Sequence, residues 1–351
     1  MKGALVTETG RATDISPLLN RGEVFYSLKS RKPSDREDLL ARVALLRSRP
    51  GSDRVQAFAL ITLSSFCVRD CVYCGFRSDS PLENMYRLTR SEIMAAADRA
   101  AAQGFRRLIL RSGCDPSITP EAVTEIIRDL AAAHGFEIGL SLGERPAEAL
   151  DAWRRAGASW YWLFRDTSDP SLYRRVRPSM RWADRARAWD ELKKSGLRIG
   201  TGMLLGMPNQ SHESLMDDLL LYADPAIGAA CIEPYLPPPD SPGYQLLSRP
   251  ENLIVSAELP VMEKTVAILR LLRPDVIIAL GASHARAYRA LENPALFAAG
   301  ANALIFDFTP TDYLSLRVFA PFLGAPADQD RATREAAAML ATAGLRLSHK
   351  D

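Results

Sequence analysis

The chain has 351 residues, of which 47% are hydrophobic and 25% are charged, the composition of an ordinary folded globular protein. Its 44 basic and 42 acidic side chains leave a net charge of +2, too little to favour a nucleic-acid partner. No apolar stretch approaches the roughly 18 residues of a transmembrane helix, and the N-terminus has no apolar signal segment. We therefore expect a cytoplasmic protein without a membrane partner. The clustering of three of the five cysteines agrees with a reducing compartment.

Strand and helix patterns alternate along the first two thirds of the chain, after about fifty residues that read as a helical prelude. The first strand is predicted at 55–62, and the next helix begins with a capping box made by Thr89 and Glu92 and ends at Gly104. Three more strands are predicted at 106–112, 136–142 and 159–165. The helices that follow them are predicted at 120–135, 144–157 and 179–196.

The alternation continues in the last third of the chain. Strands are predicted at 197–206, 228–235, 276–282 and 301–308. Helices are predicted at 212–223, 256–272, 295–300 and 328–345. The helix predicted at 256–272 contains Pro260, which is acceptable there only because it falls in the first turn. The proline-rich stretch 234–244 is predicted to be a loop, long enough to serve as a substrate lid.

Eight strands, each followed by a helical pattern, predict an α/β fold of the (β/α)8 TIM-barrel type. A doubly wound open sheet is the alternative, but no G-x-G-x-x-G motif opens any of the helices. The predicted organisation is an N-terminal helical extension over 1–54, the barrel over 55–310 and a C-terminal helical tail over 311–351. In such a barrel, ligands are expected on the loops that follow the strands.

The loop after the first strand, SSFCVRDCVYCGFRSDS, contains Cys67, Cys71 and Cys74 in the spacing C-x3-C-x2-C. Three thiolates on one loop can bind three irons of a cubane iron–sulfur cluster and leave the fourth iron without a protein ligand. A cluster used only for electron transfer usually has four cysteines. The alternative is a zinc site, which needs a distant fourth ligand, either Cys114 or Cys231, because no histidine lies near the loop.

This spacing, with Tyr73 before the last cysteine, resembles the signature of the radical S-adenosylmethionine (radical SAM) superfamily. The resemblance implies a 4Fe–4S cluster on the three cysteines and SAM as the ligand of the open iron. Residues 56–275 further resemble the group that contains the iron–iron hydrogenase maturase HydE, methylornithine synthase and biotin synthase. The motifs that carry this likeness are CVYCGFR, YRLT, LSLGERP, RDTSDPSLYRRVRP, GTGMLLGMP and PPPDSP.

Five residues are assigned to SAM binding by this resemblance. In the group, a serine after strand three, an acid after strand four and an arginine in the next long helix contact SAM. The matching residues here are Ser141, Asp166 and Arg185. Tyr73 and Leu204 would flank the adenine.

The sequence departs from the group at positions that would contact a second substrate. The Gly-Glu-Asp-Pro of the group reads Gly-Cys-Asp-Pro here, so Cys114 replaces an acid. After strand four the arginine is shifted to Arg165, and the loop after strand seven has His284 and lacks the paired threonines of the maturase. Cys114, Arg165 and His284 are therefore the candidate catalytic residues, with Asp307 and Thr309 as further possible substrate contacts. Cys114 also has a simpler interpretation, a small and inert buried residue.

The resemblance implies an enzyme that reductively cleaves SAM to methionine and a 5′-deoxyadenosyl radical and then acts on a small amino-acid- or thiol-derived substrate. A HydE-like role in metallocofactor maturation is included, and the electron would come from an external donor such as flavodoxin or ferredoxin. Three alternatives stay open: a mutase like methylornithine synthase, an enzyme like biotin synthase, and a non-catalytic iron–sulfur scaffold.

Overall fold

A closed barrel of eight parallel strands forms the centre of the protein, as the strand–helix alternation predicts. The computed structural model describes residues 19–48, 51–80, 85–239, 241–281, 284, 287–289, 292–314 and 329–349. The strands are β1 (Arg54–Ser64), β2 (Arg107–Ser112), β3 (Glu137–Ser141), β4 (Ala158–Trp162), β5 (Arg198–Leu205), β6 (Ile227–Pro234), β7 (Ile277–Leu280) and β8 (Ala303–Asp307). Each strand pairs with the next, and β8 pairs with β1. The predicted (β/α)8 fold is confirmed.

Helices surround the barrel and precede it. The helices before β5 are α1 (Arg21–Lys29), α2 (Pro33–Arg47), α3 (Arg90–Ala102), α4 (Pro120–His134), α5 (Ala147–Ala156), α6 (Pro170–Val176) and α7 (Trp182–Lys194). Those after it are α8 (His212–Leu220), α9 (Pro242–Leu247), α10 (Leu259–Leu272), α11 (Ala295–Ala298), α12 (Thr311–Leu314) and α13 (Gln329–Thr342), with short 3-10 turns at Leu221–Ala223 and Pro250–Asn252. None of the helices in the described ranges has the length and apolar content needed to cross a membrane.

Local signals in the sequence explain where several helices begin. Thr89 accepts a hydrogen bond from the Glu92 backbone N–H at 3.3 Å, and its own N–H donates to the Glu92 carboxylate at 2.7 Å, which is the predicted capping box. The predicted loop 234–244 is wrong at its end, because α9 begins at Pro242. There the Ser241 hydroxyl caps the helix by accepting from the Tyr244 N–H at 3.2 Å.

The C-terminal tail adds a strand that the sequence analysis missed. The predicted helix 328–345 ends early at Thr342, and Gly344 reverses the chain with a positive φ of 69°. The last described residues then form β9 (Arg346–Ser348), which pairs in parallel with the start of β1. The tail is therefore anchored at the N-terminal end of the barrel, while the domain boundaries proposed from the sequence stay predictions.

Toward the N-terminal ends of the strands, the barrel interior is filled by aromatic side chains from β4 and from the second residue after it. Trp160, Trp162 and Phe164 alternate along the chain, so they point into the barrel, where Phe58 of β1 packs against them; these four residues are called the aromatic layer below. Glycines on the neighbouring strand β5 make room for the rings. The aromatic layer closes the barrel from below and leaves the carboxyl ends of the strands for ligands.

Gly202→Ala should destabilise the protein, because the added Cβ would lie 2.1 Å from the Phe164 ring. We expect the free energy of unfolding to fall by about 2–3 kcal/mol, the usual cost of overpacking a core. Chemical denaturation measures this loss. Gly281→Ala is the matched control, since among the described residues its Cβ would meet Glu233 Oε1 alone, at 3.7 Å. Equal stability of the Gly202 variant and the wild type would contradict the packing described here.

Candidate active site

The three clustered cysteines lie on a loop that leaves the carboxyl end of β1; residues 65–80 are called the cysteine loop below. Tight backbone turns fold it: the Cys74 N–H donates to the Cys71 carbonyl at 3.0 Å, and the Ser78 N–H to the Arg69 carbonyl at 2.7 Å. The Val72 N–H also bonds the Val176 carbonyl at the end of α6, at 3.0 Å. The loop is thereby held over the barrel mouth.

Each cysteine sulfur of this loop accepts at least one N–H hydrogen bond. The Arg69 and Cys114 backbone N–H groups point at Cys67 Sγ, at 3.4 and 3.3 Å. The Phe76 N–H points at Cys74 Sγ at 3.4 Å, and the Arg177 guanidinium at Cys71 Sγ at 3.4 Å. Such donors favour the anionic form of sulfur and tune the potential of an iron–sulfur cluster.

The environment of these thiols disfavours thiolates without a bound metal, and it therefore agrees with a metal cluster at this place. Burial raises the pKa of Cys71 to about 12 and also raises the pKa of Cys74. A hydrogen bond to Cys114, together with burial, raises the pKa of Cys67. Buried cysteines become thiolates when a metal supplies the compensating positive charge. The donor set of the cysteine loop therefore fits an iron–sulfur cluster, although a zinc ion could use the same three sulfurs.

Cys114 lies on the turn that follows β2 and contacts the cysteine loop. Its carbonyl accepts the Val68 N–H at 3.1 Å, and its thiol group contacts that of Cys67. The hydrogen bond from Cys67, with the charge of Arg69 nearby, lowers the pKa of Cys114 to about 6. The preceding residue, Gly113, has to be a glycine, since a Cβ there would lie 2.2 Å from the Phe66 carbonyl oxygen. This places Cys114 beside a sulfur of the cysteine loop.

A buried ionic network connects the cysteine loop with the end of β4. Tyr73 donates its hydroxyl to Asp166 Oδ2 at 2.9 Å, and Arg177 forms a close ion pair with the same oxygen. Arg177 also donates to the Tyr73 hydroxyl at 2.8 Å. Although burial opposes its charge, Asp166, Tyr73 and Cys71 together outweigh that effect and hold the pKa of Arg177 well above its ordinary value. Arg177 thus brings a permanent positive charge to the cysteine loop.

Asp166 has two features of a ligand-binding residue. It adopts a left-handed φ of 63°, which is uncommon for a non-glycine residue and costs free energy that the surrounding contacts must offset. Its second oxygen, Oδ1, is buried and has no hydrogen-bond partner among the described residues. A buried carboxylate oxygen without a partner is unfavourable, so a donor from a bound molecule would satisfy it.

Arg185 occupies a second buried ion pair near the same strand end. Its Nε donates to Glu144 Oε1 at 2.9 Å, and a terminal nitrogen donates to the Phe164 carbonyl. Glu144 also pairs with Arg69 of the cysteine loop at 3.4 Å. Glu144 and Arg177 were not predicted as site residues, although they lie in the motifs LSLGERP and RDTSDPSLYRRVRP.

Comparison with known proteins agrees with this geometry. Residues 61–221 match the model of the radical SAM superfamily. The [FeFe] hydrogenase maturase subunit HydE of Thermotoga maritima is 31% identical over 276 residues, which cover 79% of this chain and 76% of that protein. The chain belongs to the radical SAM superfamily. The 3-methylornithine synthase of Methanosarcina acetivorans is 27% identical over 256 residues, 72% of this chain and 70% of the relative.

Two solved structures confirm the fold. Methylornithine synthase (PylB) superposes with a TM-score of 0.80 at 23% identity, covering 94% of both chains. The hydrogenase maturase HydG superposes with a TM-score of 0.77 at 16% identity, covering 95% of this chain and 73% of its own. Since its relatives are named enzymes, this radical SAM protein is an enzyme. The resemblance proposed from the sequence motifs is confirmed.

Ser141 and Leu204 lie at the same end of the radical SAM barrel as the cysteine loop. Ser141 ends β3, in register with Arg111 of β2. Leu204 of β5 donates its backbone N–H to the Asp166 carbonyl at 2.8 Å and belongs to the apolar cluster that Tyr73 packs against. The structure thus brings together Tyr73, Asp166 and Leu204, three of the five residues predicted to bind SAM.

Arg165 does not join this group. Because Phe164 points into the barrel, Arg165 points outward, and its guanidinium lies 5.3 Å from the Trp182 ring and 4.9 Å from the Trp189 ring of α7. Burial lowers its pKa, and Asp218 of α8 lies nearby. This position between barrel and helices suits a structural role, so the catalytic assignment has no support from its contacts.

Asp218, close to Arg165, makes the stability of the protein depend on pH. Its Oδ1 accepts from the Ser168 hydroxyl at 2.7 Å, but Oδ2 is buried without a partner among the described residues, and burial raises its pKa to about 7. Since the folded state holds this proton more tightly than the unfolded chain, the contribution of Asp218 to stability is fully present below pH 4 and is lost as pH rises through about 7.

Asp218→Asn should remove this pH dependence because the amide stays neutral. At pH 8 we expect the variant to be more stable than the wild type by about 4 kcal/mol, the equivalent of about three pKa units, and at pH 4 to be equal to it. Thermal melts across this range measure the difference. Asp217→Asn is the control, because Asp217 lies on the same helix with an exposed side chain paired to Arg21 at 2.8 Å. A constant difference between Asp218→Asn and the wild type at all pH values would refute the assignment.

Polar side chains line the barrel above the aromatic layer. Arg111 donates to Thr62 Oγ1 at 3.0 Å and pairs loosely with Asp307 at 3.9 Å. The Thr309 hydroxyl accepts the Thr62 backbone N–H at 2.8 Å, which fixes the end of β8 against β1. Arg111 is 40% exposed although it faces the interior, so this level of the barrel is open to solvent. The space lined by Thr62, Arg111 and Asp307 is called the chamber below, and it has charges of both signs.

His284 is buried at the edge of the chamber, next to β6. One ring nitrogen, Nε2, bonds the Ile232 carbonyl at 2.6 Å, and the other, Nδ1, accepts the Gly281 N–H at 3.2 Å. Burial lowers its pKa, so the ring is neutral at pH 7. The ring is thus held by the backbone, and it is not an exposed loop histidine.

Proposed function

We propose that Cys67, Cys71 and Cys74 bind a 4Fe–4S cluster, that SAM binds beside it, and that the enzyme acts on a small amino-acid- or thiol-derived substrate in the barrel. The observation that carries this proposal is the convergence of three N–H-bonded sulfurs with Arg177 and with Asp166 Oδ1, which has no hydrogen-bond partner in the part of the chain that the structure describes. When bound, the cluster and SAM supply the chemistry of the superfamily, reductive cleavage to methionine and a 5′-deoxyadenosyl radical.

The protein's own residues bind and orient SAM in this proposal. Asp166 would accept a hydrogen bond from the methionyl amine or oppose the sulfonium charge, because its Oδ1 is buried and no described residue donates to it. Arg185 would place its charge near the SAM carboxylate, and Glu144 holds that side chain in position. Tyr73 and Leu204 belong to one apolar surface and would flank the adenine.

The chamber supports an amino-acid-derived substrate. Arg111 offers a partner for a carboxylate, while Asp307 and the partly buried Glu233 offer partners for an ammonium group. The aromatic layer below excludes water from the chamber floor. An external one-electron donor such as flavodoxin or ferredoxin would complete the reaction. A HydE-like role in metallocofactor maturation is the leading version of this proposal, because HydE is 31% identical.

Anaerobic reconstitution followed by a SAM cleavage assay tests the proposal. The chain is loaded with iron and sulfide, desalted, and incubated with SAM and dithionite, and 5′-deoxyadenosine is quantified by chromatography. We expect four irons and four sulfides per chain and formation of 5′-deoxyadenosine. A coloured protein that transfers its cluster to another protein without forming 5′-deoxyadenosine would be a scaffold. A colourless zinc protein would overturn the cluster assignment.

Adding candidate substrates then distinguishes between the enzyme classes. Deuterium transfer from a labelled amino acid into 5′-deoxyadenosine would identify a mutase of the methylornithine synthase type. Transfer from a thiol-derived compound would favour the HydE-like version.

A further inference from the structure

Three potential metal ligands converge in the chamber, away from the cysteine loop. Cys231 and Glu233 are alternate residues of β6, and Cys231 Sγ lies 2.9 Å from Glu233 Oε1. Together with His284, each offers one ligand atom, and these atoms all lie within 4.8 Å of one another. Cys231 packs with the residues that fill the barrel interior, so all three belong to the chamber wall between β6 and β7.

We propose that Cys231, Glu233 and His284 form a binding site for a divalent transition-metal cation of the Zn²⁺ or Fe²⁺ type. In a tetrahedral site with bonds of about 2.0–2.3 Å, ligand atoms are about 3.3–3.8 Å apart, so only small side-chain movements are needed. A thiolate, a carboxylate and a neutral imidazole would also balance the charge of a divalent ion, which matters in a buried site.

One of the two hydrogen bonds of His284, the one made by Nε2, already suits a metal ligand. The Gly281 N–H can only donate, so Nδ1 accepts and Nε2 carries the proton that is donated to the Ile232 carbonyl. Metal-binding histidines usually donate their second nitrogen to a carbonyl or carboxylate in this way, which fixes the ring. The cation would take the place of the Gly281 N–H at Nδ1, whose 3.2 Å bond is the weaker of the two.

The ligand types decide which metals fit. Sulfur and imidazole nitrogen favour Zn²⁺, Fe²⁺ and Co²⁺, whereas Mg²⁺ and Ca²⁺ require oxygen ligands. Three protein ligands leave a fourth position open, which is the arrangement of metal sites that coordinate a substrate atom. The site is thus suited to hold a substrate through a donor atom in the chamber. It does not depend on the proposed SAM chemistry.

Zinc binding to the cluster-loaded, full-length chain tests the inference. After addition of ZnCl₂ and desalting against a weak chelator, zinc, iron and sulfide per chain are measured without SAM or reductant. We expect one zinc per chain with iron and sulfide unchanged. Zinc K-edge absorption should show one sulfur at about 2.3 Å and nitrogen or oxygen ligands at about 2.0–2.1 Å.

Variants identify the ligands. Cys231→Ser and Glu233→Gln should each weaken zinc binding by at least about 100-fold. Asp217→Asn, which removes an exposed carboxylate outside the group, should bind zinc like the wild type. Glu233→Gln preserves side-chain volume, so it decides the question if Cys231→Ser does not fold. Absence of retained zinc, retention by both variants, or zinc bound through several sulfurs with loss of iron would each overturn the inference.

Discussion

Cys67→Ala should abolish both the iron–sulfur absorption of the reconstituted enzyme and its SAM cleavage. With one of the three cysteines removed, two of the four irons of the cubane have no protein ligand, so the cluster should not assemble in stable form. We expect 5′-deoxyadenosine formation to fall at least about 1000-fold, equivalent to more than about 4 kcal/mol of activation free energy. Iron and sulfide analysis and the cleavage assay measure the two losses separately.

The matched control for this experiment is Val68→Ala. Val68 is the next residue of the cysteine loop and is 57% exposed, so its replacement leaves the sulfurs and their hydrogen bonds in place. It should retain the cluster and the cleavage rate. Normal SAM cleavage by Cys67→Ala would show that the cysteine loop does not hold the catalytic cluster, whatever other metal the chain binds.

The fold was predictable because its signals are local and periodic. Alternating strands and helices, the capping box at Thr89 and the proline in the first turn of α10 can each be recognised in one short stretch. β9 was missed because three residues carry too little pattern to identify a strand. Its position depends on pairing with β1, almost three hundred residues earlier.

The candidate site was predictable only where its residues form a motif. The cysteine spacing predicts the metal ligands, but the contact of Arg177 with Cys71 joins positions 106 residues apart. Arg165 was placed at the substrate because it ends the predicted strand 159–165 and is shifted from the arginine position of the group, whereas its direction depends on which side of β4 faces inward. Both sides of that strand are aromatic or aliphatic, so hydrophobic alternation gives no answer. The glycines at 200 and 202, which accommodate Trp162 and Phe164, are the signal that could have resolved it.

Asp166→Ala should have the second large effect, on both stability and SAM affinity. It removes the carboxylate that pairs with buried Arg177 and accepts from Tyr73, and it leaves alanine in a left-handed conformation. Breaking one partner of a buried ion pair typically costs about 3–5 kcal/mol, because the remaining charge is desolvated and unpaired. We expect the free energy of unfolding to fall by about 3 kcal/mol. If Asp166 contacts SAM, the Kd of SAM should rise about 100-fold.

A double-mutant cycle separates the two roles of Asp166. Asp166→Asn tolerates the left-handed backbone and keeps an acceptor for Tyr73, so it removes only the charge. Combined with Arg177→Met, it should regain more than half of the stability that Asp166→Asn loses alone, because no unpaired charge remains. The SAM affinity should not recover in the double variant, since the carboxylate is still missing. Additive losses of stability would contradict the ion pair, and full recovery of SAM affinity would exclude Asp166 as a SAM ligand.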